Sequence, residues 1–239
     1  MTSDHFFVSC HWTGRGENTR EFGEKVLLTF DALSRLTPKC KNWEVADRRR
    51  ETMVPLDSHR ADMTALVEQG VAHDDDGDPA PVYGYRLSGV TDFTDQNEEI
   101  SIRFRGAEQS ERANRGSVIF STHDPATMNY PLMRAILLAF IDIWKPDMGF
   151  ADASTLFPFR REPRRTLDVA WMTYLPPSFA RRAKSLGSVT TELVKGGGLL
   201  LIATQEAFDA ANPAHLAGAY ALRDVVAPLN TSLPPPWNR

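Results

Sequence analysis

Three acidic residues in this chain of 239 residues have the spacing of metal ligands. Asp74, Asp76 and Asp78 alternate as the first three ligands of a calcium-binding loop do. That loop next requires a glycine and ends in a bidentate glutamate, whereas this chain has Pro79 and Tyr85 at those positions. Two required roles are missing, so the pattern favours a hydrophilic loop over a calcium site.

A thiol nucleophile with its base is the second chemistry that the residue types suggest, because Cys10 precedes His11. Adjacent residues of a strand point to opposite faces, so these two side chains cannot meet. The sequence contains no Gly-x-Ser-x-Gly turn, and residues 196–198 lack the lysine and hydroxyl residue of a phosphate loop. No two histidines are spaced i, i+4 as zinc ligands would be. We therefore expect no catalytic residue, metal or cofactor. We also expect Cys10 and Cys40 to remain reduced thiols.

Runs of arginine form the third group, and such runs can bind phosphates. These lie in polar or proline-rich connections, without interleaved aromatic residues on which bases could stack. Solvated loops are favoured, and we expect no direct contact with nucleic acid, while an RNA-binding accessory protein stays open as an alternative. The runs are residues 48–50, 160–161, 164–165 and 181–182.

Negative charge is concentrated in one segment, although the whole chain carries only −4. Residues 71–100 contain eight acidic residues and one basic residue, Arg86, so the segment carries −7 and the rest of the chain +3. The segment could attract a basic partner, or it could be a solvated loop and hairpin edge. The candidate partner-binding residues are Asp74, Asp75, Asp76, Asp78, Asp92, Asp95, Glu98 and Glu99.

Apolar residues at helical spacing predict four helices that support these groups. Asn18 with Glu21 forms a capping box before a helix that ends ahead of Pro38, and Asn129 caps a buried helix through Trp144. Asp57 or Ser58 is expected to cap a shorter helix, and this helix is expected to end at Gly70 in a left-handed conformation. The last helix is expected to begin at Asn212 and Pro213.

Alternating residues predict strands near the N-terminus, after Val82, over 100–105 and over 118–120, and a hairpin that turns at residues 196–198. Strands and helices mix without regular alternation. This favours an α+β single domain, with a mainly antiparallel sheet and helices packed on one side. We expect the domain to cover residues 1–230, followed by a proline-rich tail over 231–239. Without a cationic and apolar leader or a membrane-length apolar run, we expect a cytoplasmic protein that does not contact membranes.

Three segments form recognisable motifs, which are WTGR with Glu17, WMTYL, and GGGLLLIAT with FDAANPAH. In this order they resemble the opening pattern, the central strand and the C-terminal signature of the bacterial immunity protein 52 family. The segments occur in family order and span nearly the whole chain. We expect structural roles for the motif residues, which are Trp12, Gly14, Arg15, Glu17, Trp171, Thr173, Tyr174, Asn212, Pro213 and His215.

The resemblance implies an antitoxin that is encoded beside a polymorphic toxin used in interbacterial competition, for example through type VI secretion. In this family the toxin is often a nuclease of the restriction-endonuclease type. That nuclease needs an acid and a lysine two residues apart on one strand face, whereas Glu192 and Lys195 are three apart. We therefore expect a non-enzymatic protein that binds and neutralises a cognate toxin domain. A small cytoplasmic enzyme with a dispersed active site is the alternative.

Overall fold

A computed structural model describes residues 4–91, 99–108, 114–122, 127–159, 170–183 and 189–230. The strands are β1 (Asp4–Trp12), β2 (Trp43–Asp47), β3 (Thr52–Pro55), β4 (Tyr85–Thr91), β5 (Glu99–Gly106), β6 (Asn114–Thr122), β7 (Met148–Ala153), β8 (Met172–Leu175), β9 (Thr190–Val194) and β10 (Gly198–Ile202). They form a single ten-stranded sheet in the order β3-β2-β4-β5-β6-β1-β7-β8-β10-β9, and every pairing is antiparallel.

The helices are α1 (Thr19–Leu36), α2 (Met63–Glu68), α3 (Tyr130–Trp144), α4 (Pro177–Ala180) and α5 (Pro213–Asn230). The predicted α+β class with an antiparallel sheet is confirmed. The proline-rich tail 231–239 lies outside the described residues, so the proposed domain boundary at residue 230 stays a prediction.

The long helices begin where the sequence predicts them. At α1 the Asn18 side chain accepts the amide hydrogen of Glu21, whose carboxylate accepts the amide hydrogen of Asn18 in return. Asn129 accepts from Leu132 at the start of α3. These bonds satisfy amide groups of the first turn that have no partner within the helix, so both ends are fixed by neighbouring residues alone.

The second helix begins later than predicted. Residues Leu56–Asp62 form a 3₁₀ helix, and the cap of α2 is Asp62, which accepts from Ala65 at 3.1 Å, rather than Asp57 or Ser58. Gly70 does not adopt a left-handed conformation. A glycine is needed there because the backbone of Arg86 lies very close. A Cβ at position 70 would lie 1.9 Å from the carbonyl oxygen of Arg86, whose amide donates to the Gly70 carbonyl.

Strand β6 is longer than the predicted segment 118–120. It pairs along its full length with β1, from Asp4 opposite Thr122 to Trp12 opposite Asn114. Its first residues include Asn114, Arg115 and Ser117, which break the apolar alternation. Pairing with β1 and β5 on both sides extends the strand beyond what its own side chains indicate.

Helices cover both faces of the sheet. Helices α1, α2 and α3 share one face, as predicted, and form the main core with strand residues such as Leu200 and Ile202. At the β8–β10 end, α4 and α5 cover the opposite face, where Leu201 packs with Leu222 and Val226. Strand β10 is apolar on both sides, so each of its faces must be buried, and this places α5 opposite the other long helices.

The glycine hairpin forms as predicted between β9 and β10. Gly196 and Gly197 have φ values of +92° and +87°, which side chains other than glycine rarely adopt. The amide of Gly197 donates to the carbonyl of Val194 at 3.0 Å and closes the turn.

We predict that Asn212→Ala lowers the free energy of unfolding by about 0.5–2 kcal/mol. The Oδ1 atom of Asn212 accepts the amide hydrogen of Ala214 at 3.0 Å, and alanine cannot replace this bond. Denaturant unfolding measures the loss, and Asn212→Ser should recover most of it because serine also caps helices. Wild-type stability in Asn212→Ala would contradict the capping role.

Candidate functional site

The described residues of the acidic segment do not form one patch. The side chains of Asp74, Asp75, Asp76 and Asp78 are exposed on a loop that joins the start of β4, through a bridge between Val71 and Tyr85. Glu99 is also exposed but lies beyond the other end of β4, about 20 Å away by strand rise. Asp92, Asp95 and Glu98 lie outside the described residues.

One of the four loop aspartates also has a structural role. Oδ1 of Asp74 accepts the amide hydrogens of Asp76 at 3.1 Å and Asp78 at 2.9 Å, which makes the loop a local turn. The carboxylate is therefore engaged by the backbone, and the calcium-like spacing corresponds to turn formation. Within the described ranges, no three acidic, histidine or cysteine side chains are grouped to hold a metal.

Residues of the opening motif pack against the C-terminal end of α3 and form hydrogen bonds with it. Trp12 stacks on Trp144 with ring centroids 4.6 Å apart, and both rings are fully buried. The guanidinium of Arg15 donates to the carbonyls of Trp144 at 3.0 Å and Lys145 at 2.5 Å. A cation at this position satisfies helix-terminal carbonyls and complements the negative end of the helix dipole.

The same motif also holds the residues that follow α3. The amide and hydroxyl of Thr13 donate to Oδ2 of Asp147 at 2.7 and 3.0 Å. Arg15 lies 3.5 Å from the other carboxylate oxygen, and the exposed Gly14 stands between the two. The buried Glu17 pairs with Lys25, whose ammonium group lies 5.9 Å above the Trp144 ring.

The central and C-terminal motifs meet each other across β8 and β10. Trp171 donates from its indole nitrogen to the carbonyl of Thr204 at 2.9 Å, and Thr173 is buried. Tyr174 packs so closely on Gly198 that a Cβ there would lie 2.5 Å from its ring. The motif tyrosine therefore requires a glycine at position 198, although its partner in register is Leu200.

The buried His215 orders the loop before α5. Its Nδ1 atom accepts the amide hydrogen of Asp209 at 3.1 Å, and Nε2 lies 3.0 Å from a carboxylate oxygen of Glu206. Pro213 occupies the first helical position after Asn212. The motif residues are thus mostly buried or bonded within the chain, as a structural role requires, although that role stays a prediction.

These motifs converge on one groove that the sequence pattern did not indicate. A groove of about 550 Å³, predominantly apolar, lies between the last turns of α3 and the β9–β10 hairpin. Lys145 and Asp147 line it and are held by the opening motif, while Tyr174 and Gly196 bring the other two motifs to its wall. No linear spacing could have indicated it, because the walls come from segments far apart in sequence.

Ion pairs fix the groove's walls. Arg134 of α3 donates to Glu192 of β9 through two nitrogens, which keeps the pKa of the Glu192 carboxyl below its ordinary value. Lys145 pairs with Asp142 at 2.6 Å. Burial raises the pKa of the Tyr174 phenol, which is protonated at neutral pH even at its ordinary pKa. The exposed Leu193 lies beside them, with 79% of its surface accessible.

Cys10 and His11 do not form a nucleophile and its base. Cys10 is buried on the face that α1, α2 and α3 cover, whereas His11 lies on the other face of β1. Burial raises the pKa of the Cys10 thiol far above its ordinary value and that of Cys40 to about 12, so neither forms a thiolate readily. Both cysteines are free thiols. None of the described helices is long and apolar enough to cross a membrane.

The chain is similar to known proteins in sequence and in fold. The model of the family described as Immunity protein 52 matches residues 4–231. A solved structure of a Pseudomonas aeruginosa T6SS protein is similar in fold, with a TM-score of 0.57 and 14% sequence identity over 93% of this chain and 76% of that one. A search of curated proteins gives no match. Since the family model covers nearly the whole chain, the chain belongs to the Immunity protein 52 family.

Proposed function

We propose that the protein neutralises a cognate toxin domain by binding it in an inactive complex, without turnover. Family membership over residues 4–231 is the observation that carries this proposal. A tight complex needs about 800 Å² buried on each partner and a few desolvated anchor residues, which a domain of this size can provide. An antitoxin of this kind requires no active site of its own.

The toxin that we propose is a nuclease of the restriction-endonuclease type, encoded by a neighbouring gene and active in the cytoplasm. Such a toxin must approach nucleic acid and would carry a basic surface. The exposed aspartates of loop 72–80 would then accelerate the encounter. The T6SS protein with the same fold is compatible with a role in interbacterial competition.

The groove and the outer edge of β9 form the contact surface that we favour. Leu193 is the most exposed large apolar side chain among the described residues, and it lies on the edge strand beside the groove. An edge strand offers backbone groups to a partner, and an apolar groove offers a place for an anchor side chain. Arg134 and Glu192 preorganise this surface, which reduces the ordering cost of binding.

Stoichiometry tests the absence of turnover. Titration of the purified toxin should reduce its nuclease activity linearly until one equivalent of the protein is present, because each complex removes one toxin molecule. The intact mass of toxin recovered from the complex should be unchanged. Complete inactivation by a small fraction of an equivalent, or a covalently altered toxin, would establish an enzymatic antitoxin.

Leu193→Asp should weaken toxin binding by about tenfold or more, since a charge would replace an apolar anchor. Leu28→Asp is the matched control, because Leu28 is a 53% exposed leucine on α1. Binding measured by calorimetry should be nearly unchanged in the control, and both variants should keep the wild-type melting temperature. Equal losses in the two variants would exclude the β9 edge as the contact.

Neutralising Asp74, Asp75, Asp76 and Asp78 to asparagine should lower the association rate by about tenfold and flatten its dependence on salt. Asparagine at position 74 still accepts the backbone hydrogen bonds of the turn, so the fold should be retained. Stopped-flow mixing with the toxin measures the association rate. A variant with Glu24→Gln and Asp224→Asn is the control, because it loses acidic side chains that lie outside loop 72–80. An unchanged association rate would make loop 72–80 an ordinary solvated loop, and a large rise in dissociation rate would make it a contact.

A further inference from the structure

Three arginines stand directly opposite one another on neighbouring strands. Arg86 of β4 pairs in register with Arg105 of β5, and Arg105 with Arg115 of β6. Paired residues share a face, so the three side chains form a row about 10 Å long. Leu87 and Phe104, which alternate with them, are buried in the main core, so the row lies on the face opposite α1, α2 and α3.

The row forms a wall of a notch in the sheet. Strand β2 pairs with β4 only from Trp43 opposite Thr91 to Val45 opposite Gly89. Residues 70–71 bond to Tyr85 and Arg86 at the start of β4, so a gap remains between these two pairings, beside Leu87 and Ser88. A notch of about 470 Å³ occupies the gap. Its polar lining consists of Arg48, Arg86, Ser88, Arg103, Arg105 and Arg115, and no acidic side chain lines it among the described residues.

The arginines of this arginine notch differ in their protein partners. Arg105 lies 3.2 Å from the buried Glu108 carboxylate. In the part of the chain that the structure describes, the side chains of Arg48, Arg86 and Arg103 form no hydrogen bond or ion pair. Arg105 and Arg115 have further partners, so the donors available to a ligand are chiefly those of Arg48, Arg86 and Arg103.

We propose that the arginine notch binds a compact diphosphate or triphosphate group. Guanidinium groups bind phosphate through paired hydrogen bonds, and several converging arginines require a ligand with more than one negative charge. The notch has the volume of a small-molecule site. Phe104, the aromatic residue of its described lining, is buried and cannot stack on a base, so the phosphates themselves are recognised.

This site is separate from the groove and does not depend on the proposed function. The notch lies on β4–β6 and the groove at β8–β9, roughly 25 Å away by strand spacing. Free inorganic polyphosphate and the phosphate tail of a nucleotide share the proposed chemistry.

Calorimetric titration of the full chain at fixed ionic strength tests the proposal, with sodium tripolyphosphate and ATP as probes. Both should bind, and tripolyphosphate should bind within about threefold of ATP if the phosphates alone are recognised. ATP binding that is tighter by tenfold or more would identify the phosphate tail of a nucleotide as the natural source. Failure of both probes to bind at millimolar concentration overturns the proposal.

Arg86→Gln with Arg103→Gln should weaken tripolyphosphate binding by about tenfold or more, because each change removes a charged donor. Arg20→Gln with Arg35→Gln removes the same charge from the exposed surface of α1 and should leave affinity within about twofold. The first variant should melt at the wild-type temperature, since Arg86 and Arg103 are exposed and form no bond with other described residues. Equal weakening in both variants would mean nonspecific attraction and would overturn the site.

Polyglutamate at the same ionic strength distinguishes an acidic protein segment from phosphate. The arginine notch should bind it at least tenfold more weakly than tripolyphosphate, because flexible carboxylates cannot place their charges as compactly. Tighter binding of polyglutamate that is lost in the Arg86→Gln and Arg103→Gln variant would replace the phosphate ligand by an acidic protein partner.

Discussion

The contacts of one buried indole hold the layers of this protein together. The Trp144 ring stacks on Trp12 of β1, touches Phe22 of α1 and lies 5.5 Å from the ring of Phe104 in β5. Its nitrogen donates to the hydroxyl of Thr29 in α1 at 2.9 Å, so its polar atom is also satisfied. Because α1, α3 and two strands meet at this ring, the opening motif that caps α3 also fixes the position of the main core.

Local interactions explain which parts of the fold could be predicted from the sequence. The caps at Asn18, Asn129 and Asn212 and the glycine turn depend on residues a few positions apart, and they were predicted correctly. The length of β6, the cap at Asp62 and the side of the sheet that α5 covers depend on distant segments. The groove was missed for the same reason, since motif residues that are separated in sequence form it only in three dimensions.

Charge and apolar surface lie at different ends of the sheet. The aspartates of loop 72–80 and the arginine notch both adjoin the start of β4, so opposite charges are neighbours there. The groove and the exposed Leu193 lie beyond β7, where charges are used in ion pairs such as that between Arg134 and Glu192. A partner that contacts both ends would have to span much of the sheet.

The position of β1 has a consequence for the timing of folding in the cell. Of the ten strands of the sheet, β1 is made first, and it is an interior strand, because Val8 pairs with Val118 on one side and with Ala151 on the other. At roughly 5–20 residues per second, its partners follow after a delay on the order of ten seconds. Strand β1 and Trp12 must therefore remain without their native neighbours until β6 and β7 have emerged, and the sheet can form only then.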